Sequence, residues 1–262
     1  MSAFADVLAT EFIKLRRSKV TWATLGGLSL GPLGISLFMW IVREPGRAAQ
    51  LGLLGTKANL TGIEATWPSF ASILAMIVGV EGMLLLAFIV AYIFGREYAE
   101  GTAKNLLALP VDRAWFVVAK LVVAAVWWLV LVVAVLAESF ALGFVLGLPG
   151  FSASVAEGAV GNSVLAAGIS FLLVPVVAWV TTAGRGYMAP IAFALASLAL
   201  GDLFSHTGWS MWFPWSIVPS LIGMVSKPSG GVPAASFVVI ALTFVAGIAA
   251  TIAQVRWADN AQ

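Results

Sequence analysis

The sequence contains no cysteine, and its 262 residues include one histidine, His206. Without cysteine the chain cannot form a disulfide, a thiolate metal site or a cysteine nucleophile, and its redox compartment cannot be inferred. One histidine excludes paired histidine ligation of haem and leaves a zinc site of the usual histidine and cysteine type short of ligands. We therefore expect no metal and no cofactor on this chain.

The sequence also lacks the motifs of nucleotide binding and zinc-protease chemistry. Neither GxxxxGK[ST] nor HExxH occurs, so the chain has no P-loop through which it could bind ATP. An intramembrane enzyme would need a nucleophile or a metal set, and we identify none. Any energy source must therefore lie on another polypeptide or in an ion gradient.

Charge is scarce, at 10% of residues, while 61% are hydrophobic and the mean hydropathy is +1.02. Soluble domains carry about 25% charged residues. Six apolar runs are long enough to cross a hydrocarbon core of ~30 Å as helices: they cover about 20–42, 70–95, 115–146, 160–183, 187–204 and 234–254. The short alternating segments of a transmembrane barrel are missing. The sequence predicts an all-α, polytopic membrane protein with six transmembrane helices, in a single domain over residues 1–262.

Lysine and arginine divide unevenly between the two sides of these predicted helices. With the N-terminus in the cytoplasm, 10 of the 14 basic residues lie on the inner side. The positive-inside rule then places both termini in the cytoplasm. The net charge of +2 and the pI near 9.1 fit contacts with anionic lipid headgroups and do not imply nucleic-acid binding.

Two segments outside the six runs have a membrane-surface pattern. In residues 2–18 the apolar side chains recur at helical spacing, which predicts a helix lying in the membrane interface, although a cytosolic helical extension would look similar. In residues 205–233, three tryptophans suit an interfacial belt, and Pro214 and Pro219 interrupt the apolar run. We expect short re-entrant half-helices in the outer leaflet there instead of a seventh span.

Four glycines and two acids stand out inside the spans. Gly27 and Gly31 have GxxxG spacing, as do Gly143 and Gly147, which favours close helix packing within the chain and leaves a dimer contact as the alternative. A carboxylate at bilayer depth costs about 2.5–3.5 kcal/mol on insertion scales. Glu81 and Glu138 therefore either line a substrate or ion path or form packing hydrogen bonds, and the sequence does not decide between these roles.

One dense polar segment, REYAEGTAKNLLALPVDR, interrupts the apolar chain at residues 96–113. Read as a helix, residues 97–109 place small and apolar side chains on one face, with Glu100 and Lys104 as an i,i+4 pair. Pro110 ends the helix, and Asp112 caps the next one. A simple connector would need fewer polar residues, so the pattern indicates a docking surface on a short amphipathic helix.

The stretch EYAEGTAKNLLALPVDRAWFVVAK, residues 97–120, resembles the loop between the second and third spans of ABC-2 type permeases. These are the membrane subunits of ATP-binding-cassette exporters. Within it, the stretch TAKNLL is most similar to the corresponding loop in the permeases that serve bacitracin and lantibiotic resistance. The N-terminal stretch ATEFIKLRRSK also resembles the start of the family, whereas Asp112 stands where the family usually has serine.

The resemblance implies an exporter of the bacterial plasma membrane, in which two permease chains, identical or sister, bind two separate ATPase subunits. ATP and Mg would be bound by those partner subunits, and the cargo would be an amphipathic or hydrophobic molecule such as a peptide antibiotic, drug or lipid-like compound. It also implies that 96–113 is the cytoplasmic coupling loop and that 2–18 is the connecting helix. The implied ATPase-docking residues are Glu97, Glu100, Gly101, Thr102, Lys104, Asn105, Leu106, Leu107, Pro110 and Arg113. The implied connecting-helix residues are Glu11, Lys14, Arg16 and Arg17.

A gradient-driven secondary transporter is the alternative to an ABC permease. Such a protein would ordinarily show inverted repeats and broken or charged helices near the midplane. We find no internal repeat in the sequence. The polar segment therefore favours a chain that is driven by a separate ATPase.

Overall fold

The computed structural model of the chain describes residues 3–53, 64–108, 110–222 and 233–257, and in these ranges it contains helices and no strand. The helices, in chain order, are α1 (Ala3–Arg16), α2 (Lys19–Arg43), α3 (Pro45–Gln50), α4 (Trp67–Met76), α5 (Gly82–Ala99), α6 (Ala103–Leu107), α7 (Arg113–Val145), α8 (Ala153–Gly184), α9 (Met188–Ser205), α10 (Pro214–Leu221) and α11 (Ala234–Trp257). A π-helical turn, Ile77–Glu81, joins α4 to α5. The all-α prediction is confirmed.

Six helical segments in the described ranges are long and apolar enough to cross a membrane. They are α2, the continuous segment formed by α4, the π-helical turn and α5, and then α7, α8, α9 and α11. Each overlaps one predicted apolar run along most of its length. The fourth begins well before residue 160, at Ala153, because the Ser152 side chain accepts a hydrogen bond from the Val155 amide and caps the helix there.

The fourth span, α8, lies at the centre of the helix bundle and packs against α4, α5, α9 and α11. Trp128 of α7 donates its indole N–H to the Ala167 carbonyl of α8 over 3.0 Å. On another side, Gly247 of α11 brings its backbone so close to Pro175 that a Cβ would lie 2.8 Å from the Pro175 carbonyl carbon. Thr251 adds a hydrogen bond of 3.1 Å to the Pro175 carbonyl oxygen. Small residues and indole anchors therefore set the helix spacing.

The glycines of the first span face the second span of the same chain. A Cβ on Gly31 would lie 2.5 Å from the Ile77 side chain, and one on Gly27 would lie 3.6 Å from Leu85. Gly143 of α7 likewise packs against the ring of Trp67. The predicted packing within the chain is confirmed at these three positions. Gly147 instead lies beyond the end of α7, in a turn with φ +61°, so the second GxxxG pair does not lie on one helix.

The stretch GLSLG at residues 27–31 has the GxSxG spacing of a hydrolase nucleophile elbow. That motif requires a sharp turn between a strand and a helix, so that the serine is exposed on the turn. Here the five residues lie inside the continuous helix α2. The structural context therefore excludes an elbow, and the spacing reflects helix packing.

The segment 205–233 contains one short helix in its described part. After α9 ends at Ser205, the chain turns and α10 begins at Pro214. Proline suits the first helical turn because its missing N–H would have no helical partner there. Trp209 and Trp212 are exposed before this helix. Of the predicted re-entrant segment 205–233, residues 223–232 lie outside the described ranges, and the depth of α10 in the bilayer stays a prediction.

Candidate functional site

The polar segment between the second and third spans is not one helix. The span helix α5 continues through Glu97 to Ala99, and the chain then turns at Gly101, whose φ is +68°. The Thr102 amide donates to the Glu97 carbonyl over 2.8 Å, which is the Schellman pattern of a helix C-terminus. The separate helix α6 contains only residues 103–107. The predicted helix over 97–109 is therefore wrong, because a left-handed glycine ends α5 inside it.

This turn also changes the predicted charge pairing. Glu100 and Lys104 lie on opposite sides of the turn at Gly101, so they do not form the i,i+4 pair of a continuous helix. Glu100 instead approaches Arg96 of α5, with 3.7 Å between the charged groups. This pair is partly exposed, and such pairs contribute little to stability.

Beneath the turn lies a group of four charged side chains, which we call the charge cluster: Glu11, Glu97 and Lys120 are buried, and Lys14 is partly buried. The Lys120 ammonium lies 2.9 Å from a carboxylate oxygen of Glu11 and 2.9 Å from one of Glu97. Lys14 lies 2.6 Å from the other oxygen of Glu11 and 3.1 Å from the same oxygen of Glu97. Two acids and two bases from α1, α5 and α7 therefore neutralise one another.

The charge cluster stabilises the ionised forms of its α1 members. Burial by itself would raise the pKa of Glu11, but attraction to Lys120 and Lys14 and hydrogen bonds from both hold it below the usual value for glutamate. Burial opposes the charge of Lys14, and Glu11 and Glu97 more than offset it, so the pKa of Lys14 is raised. The cluster therefore holds α1 against the ends of the second and third spans as an ionised unit.

The sequence assigned three of these four residues to a functional segment, but it did not predict their contact. It assigned Glu97 to the docking surface, whereas the structure buries Glu97 beneath that surface with its side chain 6% exposed. Lys120 entered only as the last residue of the stretch 97–120 that resembles the family loop. A lysine and a glutamate near the inner ends of predicted spans were the available signal, but no spacing rule links Lys120 to Glu11.

The short helix α6 presents different residues to its own chain and to the outside. Ala103 and Leu106 line a small cavity together with Phe94 of α5 and Phe116 of α7, and the cavity reaches Lys120. Lys104 and Asn105 are exposed, as are Glu100, Gly101, Thr102 and Pro110. Leu106 was predicted to contact a partner; it is half-buried and lines this cavity, and its docking role stays a prediction. The side chain of Leu107 lies outside the described part of the chain.

The C-terminal end of the polar segment is joined to the last span by hydrogen bonds and an ion pair. Asp112 caps α7 by accepting a hydrogen bond from the Ala114 amide at 2.9 Å, as predicted, and it forms a bidentate pair with Arg256 of α11 at 2.8 and 2.9 Å. Arg113 donates to the carbonyls of Val255 and Arg256 at 3.1 and 3.2 Å. The predicted docking residue Arg113 therefore joins α7 to α11.

The remaining predicted site residues lie apart from the charge cluster. Arg16 and Arg17 are exposed where α1 ends. Glu81 is the last residue of the π-helical turn and lies beside Gly31, and Glu138 is half-buried in α7. In the described ranges no hydrogen bond or ion pair joins these two acids to one another, so a path through them stays a prediction.

Comparison with known proteins identifies the architecture that carries this site. Residues 7–201, which include most of α1, the charge cluster and the polar segment, match the family model described as ABC-2 family transporter protein. The chain is 31% identical over 178 residues to the bacitracin transport permease protein BCRB of Bacillus licheniformis, an alignment that covers 68% of this chain and 85% of that protein. No solved structure matches. The chain has six apolar helices that are long enough to span a membrane, with a polar loop between the second and the third. It belongs to the ABC-2 family as the membrane-embedded permease subunit of an ABC transporter.

Proposed function

We propose that the chain works as the permease half of an exporter whose transport step is driven by ATP hydrolysed on a separate subunit. The observation that carries the proposal is which residues α6 exposes and which it turns toward its own chain. Its outer residues Lys104 and Asn105 are exposed, while Ala103 and Leu106 are half-buried and line a cavity together with residues of the chain's own spans. A short helix that is polar on its exposed side and faces its own chain on the other side can receive a partner on the exposed side.

The attachments of α6 support a role in transmitting motion. On one side the Schellman turn joins it to α5, whose Glu97 belongs to the charge cluster with α1 and α7. On the other side Asp112 and Arg113 join the start of α7 to α11. A push on α6 would therefore reach the second, third and sixth spans and α1 together. Force on a flexible loop without these attachments would be absorbed by the loop.

The proposed assembly contains two permease chains, identical or sister, and two ATPase subunits that bind ATP and Mg. Both termini and the loop at 96–113 lie in the cytoplasm, with α1 as an interfacial connecting helix, in accordance with the distribution of basic residues. The cargo is an amphipathic or hydrophobic compound, with bacitracin as the first candidate because the related permease is named for it. Glu81 and Glu138 are candidates for the path.

Inside-out membrane vesicles test this function directly. We expect vesicles that contain the permease and its ATPase subunit to accumulate fluorescent bacitracin when ATP is added, and to continue when a protonophore abolishes the ion gradient. An ATPase subunit with its P-loop lysine replaced is the matched control and should abolish uptake. Uptake that needs no ATP and stops with the protonophore would instead establish a gradient-driven secondary transporter.

A further inference from the structure

A groove opens on the side of the chain where α1 meets the first and third spans. It has a volume of about 610 Å³ and is lined by Phe12, Ile13, Leu15, Arg16, Arg17, Thr21, Val126 and Trp127, and we call it the α1 groove. Its size is within the range of small-molecule sites. Most of the lining is apolar, and the charge is confined to the two arginines.

Arg16 and Arg17 lie at the junction between α1 and α2, and both are exposed. Within the described ranges neither guanidinium has a hydrogen bond or an ion pair, although Lys14 nearby in sequence has two carboxylate partners. A guanidinium provides five donors in a planar fork that fits phosphate oxygens. The groove therefore places two cations with free donors beside an apolar surface.

The position of the groove relative to the bilayer follows from the charge cluster. The ion pair of Lys120 with Glu11 fixes α1 beside α7. Lys120 lies about 10 Å along the helix axis from Arg113, the first residue of α7, at 1.5 Å per residue. Val126 and Trp127 lie about two turns further along α7, toward the middle of the span. The α1 groove thus runs from a charged end at headgroup level to an apolar end at hydrocarbon level.

We propose that the α1 groove binds one anionic phospholipid, with its phosphate on Arg16 and Arg17 and an acyl chain along Val126 and Trp127. Charge complementarity carries this choice, because the ligand must be anionic at one end and apolar at the other. A free phosphate ion would leave the apolar wall uncovered. A second copy of this chain would have to bring an acid to this depth. The proposal does not depend on which partner α6 receives.

Lipid selectivity tests the proposal. The purified permease is equilibrated with equal amounts of phosphatidylglycerol and phosphatidylcholine, and the retained lipid is measured by native mass spectrometry. We expect preferential retention of one phosphatidylglycerol, and Arg16→Gln, which removes one of the two proposed phosphate contacts, should lower the preference about fivefold. Lys19→Gln removes a charge at the same junction but outside the groove lining, and it should leave the preference unchanged. Equal retention of both lipids, or equal effects of the two variants, would overturn the proposal.

Photo-crosslinking gives a second readout in the otherwise unaltered chain. A benzophenone side chain at Val126 should capture phosphatidylglycerol in excess of its share of the membrane. The same group at Val133, an exposed position on α7 outside the groove, should capture lipids in proportion to their abundance. Capture of a second permease chain from position 126 would show that the groove is a protein interface and would refute the lipid site.

Discussion

Lys120 is a charged residue whose side chain is almost completely buried in the interior of this protein. Its side chain is 5% exposed, and its three ammonium N–H groups have three acceptors: the carboxylates of Glu11 and Glu97 and the Ile93 carbonyl, the last at 2.7 Å. Lysine has three donors and no acceptor, so all of its capacity is used. A buried charge that is fully hydrogen-bonded is tolerated, whereas one that has lost a partner is strongly destabilising.

We predict that Lys120→Met destabilises the permease by about 3–5 kcal/mol, because it leaves two buried carboxylates to share one lysine. The measurement is the thermal unfolding of the detergent-solubilised chain. Adding Glu11→Gln restores the balance of charge, so the double variant should be more stable than Lys120→Met alone. An unfolding temperature for Lys120→Met equal to that of the unaltered chain would show that the cluster contributes nothing to stability.

The pKa shifts in the charge cluster predict a pH window for the attachment of α1. The pKa of Glu11 is lower in the folded protein, so its contribution is complete above about 4.3 and is lost as the pH falls through the folded value. The pKa of Lys14 is raised, so its contribution is complete below about 10.4 and is lost as the pH rises through the folded value.

A spin label on α1 measures this attachment. The chain has no native cysteine, so Ala9→Cys, at an exposed position, can be labelled alone. We expect constant mobility across the window and a rise below the ordinary range of glutamate, and Glu11→Gln should raise the mobility already at neutral pH. A label at Ser154→Cys, in the first turn of α8, is the control. Equal mobility changes at both positions would indicate general unfolding and not the release of α1.

The sequence singled out most of the charged residues near this site, but it did not predict which of them contact one another. Asp112 as a helix cap was confirmed, because capping depends on neighbours in the chain. The ion pair between Glu11 and Lys120 joins residues far apart in sequence, and such a contact depends on how the spans pack. Gly101 was the local signal that went unused, since a glycine within a helical pattern often marks a C-terminus.

The spans themselves are predictable because hydrocarbon imposes both a length and a composition on each helix. The hydropathy profile does not predict which helices pack against one another. The contact between α8 and α11 depends on Gly247, whose backbone lies against that of Pro175 and Val176. It depends as well on the Thr251 hydrogen bond to the Pro175 carbonyl, which the hydropathy profile does not reveal.

We predict that Gly247→Ala destabilises the bundle by about 1–3 kcal/mol, the usual range for overpacking. The added methyl group would lie 2.7 Å from the Val176 backbone nitrogen, and backbone cannot move aside as a flexible side chain can. Gly26→Ala is the control, because its methyl group would meet nothing within 4 Å and alanine favours helix. Thermal unfolding should separate the two variants, and equal stability would contradict the close approach of α8 and α11.

At the scale of the whole chain, the six spans and the excess of basic residues on one side of the membrane predict the orientation of the protein in the membrane. With both termini in the cytoplasm, the loop before α8 is outside and α6 is inside. Ser154→Cys should therefore react with a membrane-impermeant maleimide in intact cells, and Asn105→Cys should react only after the membrane is opened. Labelling of Asn105→Cys in intact cells would invert the topology.

The most direct test of the coupling role is a photo-crosslink from the exposed face of α6. A crosslinking side chain at Asn105, in membranes that also contain the ATPase subunit, should give a covalent adduct with that subunit. The same group at Ser154 should give none, because it lies on the opposite side of the membrane in the proposed topology. Failure to capture the ATPase from position 105 while it co-purifies with the permease, or its capture from position 154, would contradict the proposal that α6 receives the motor.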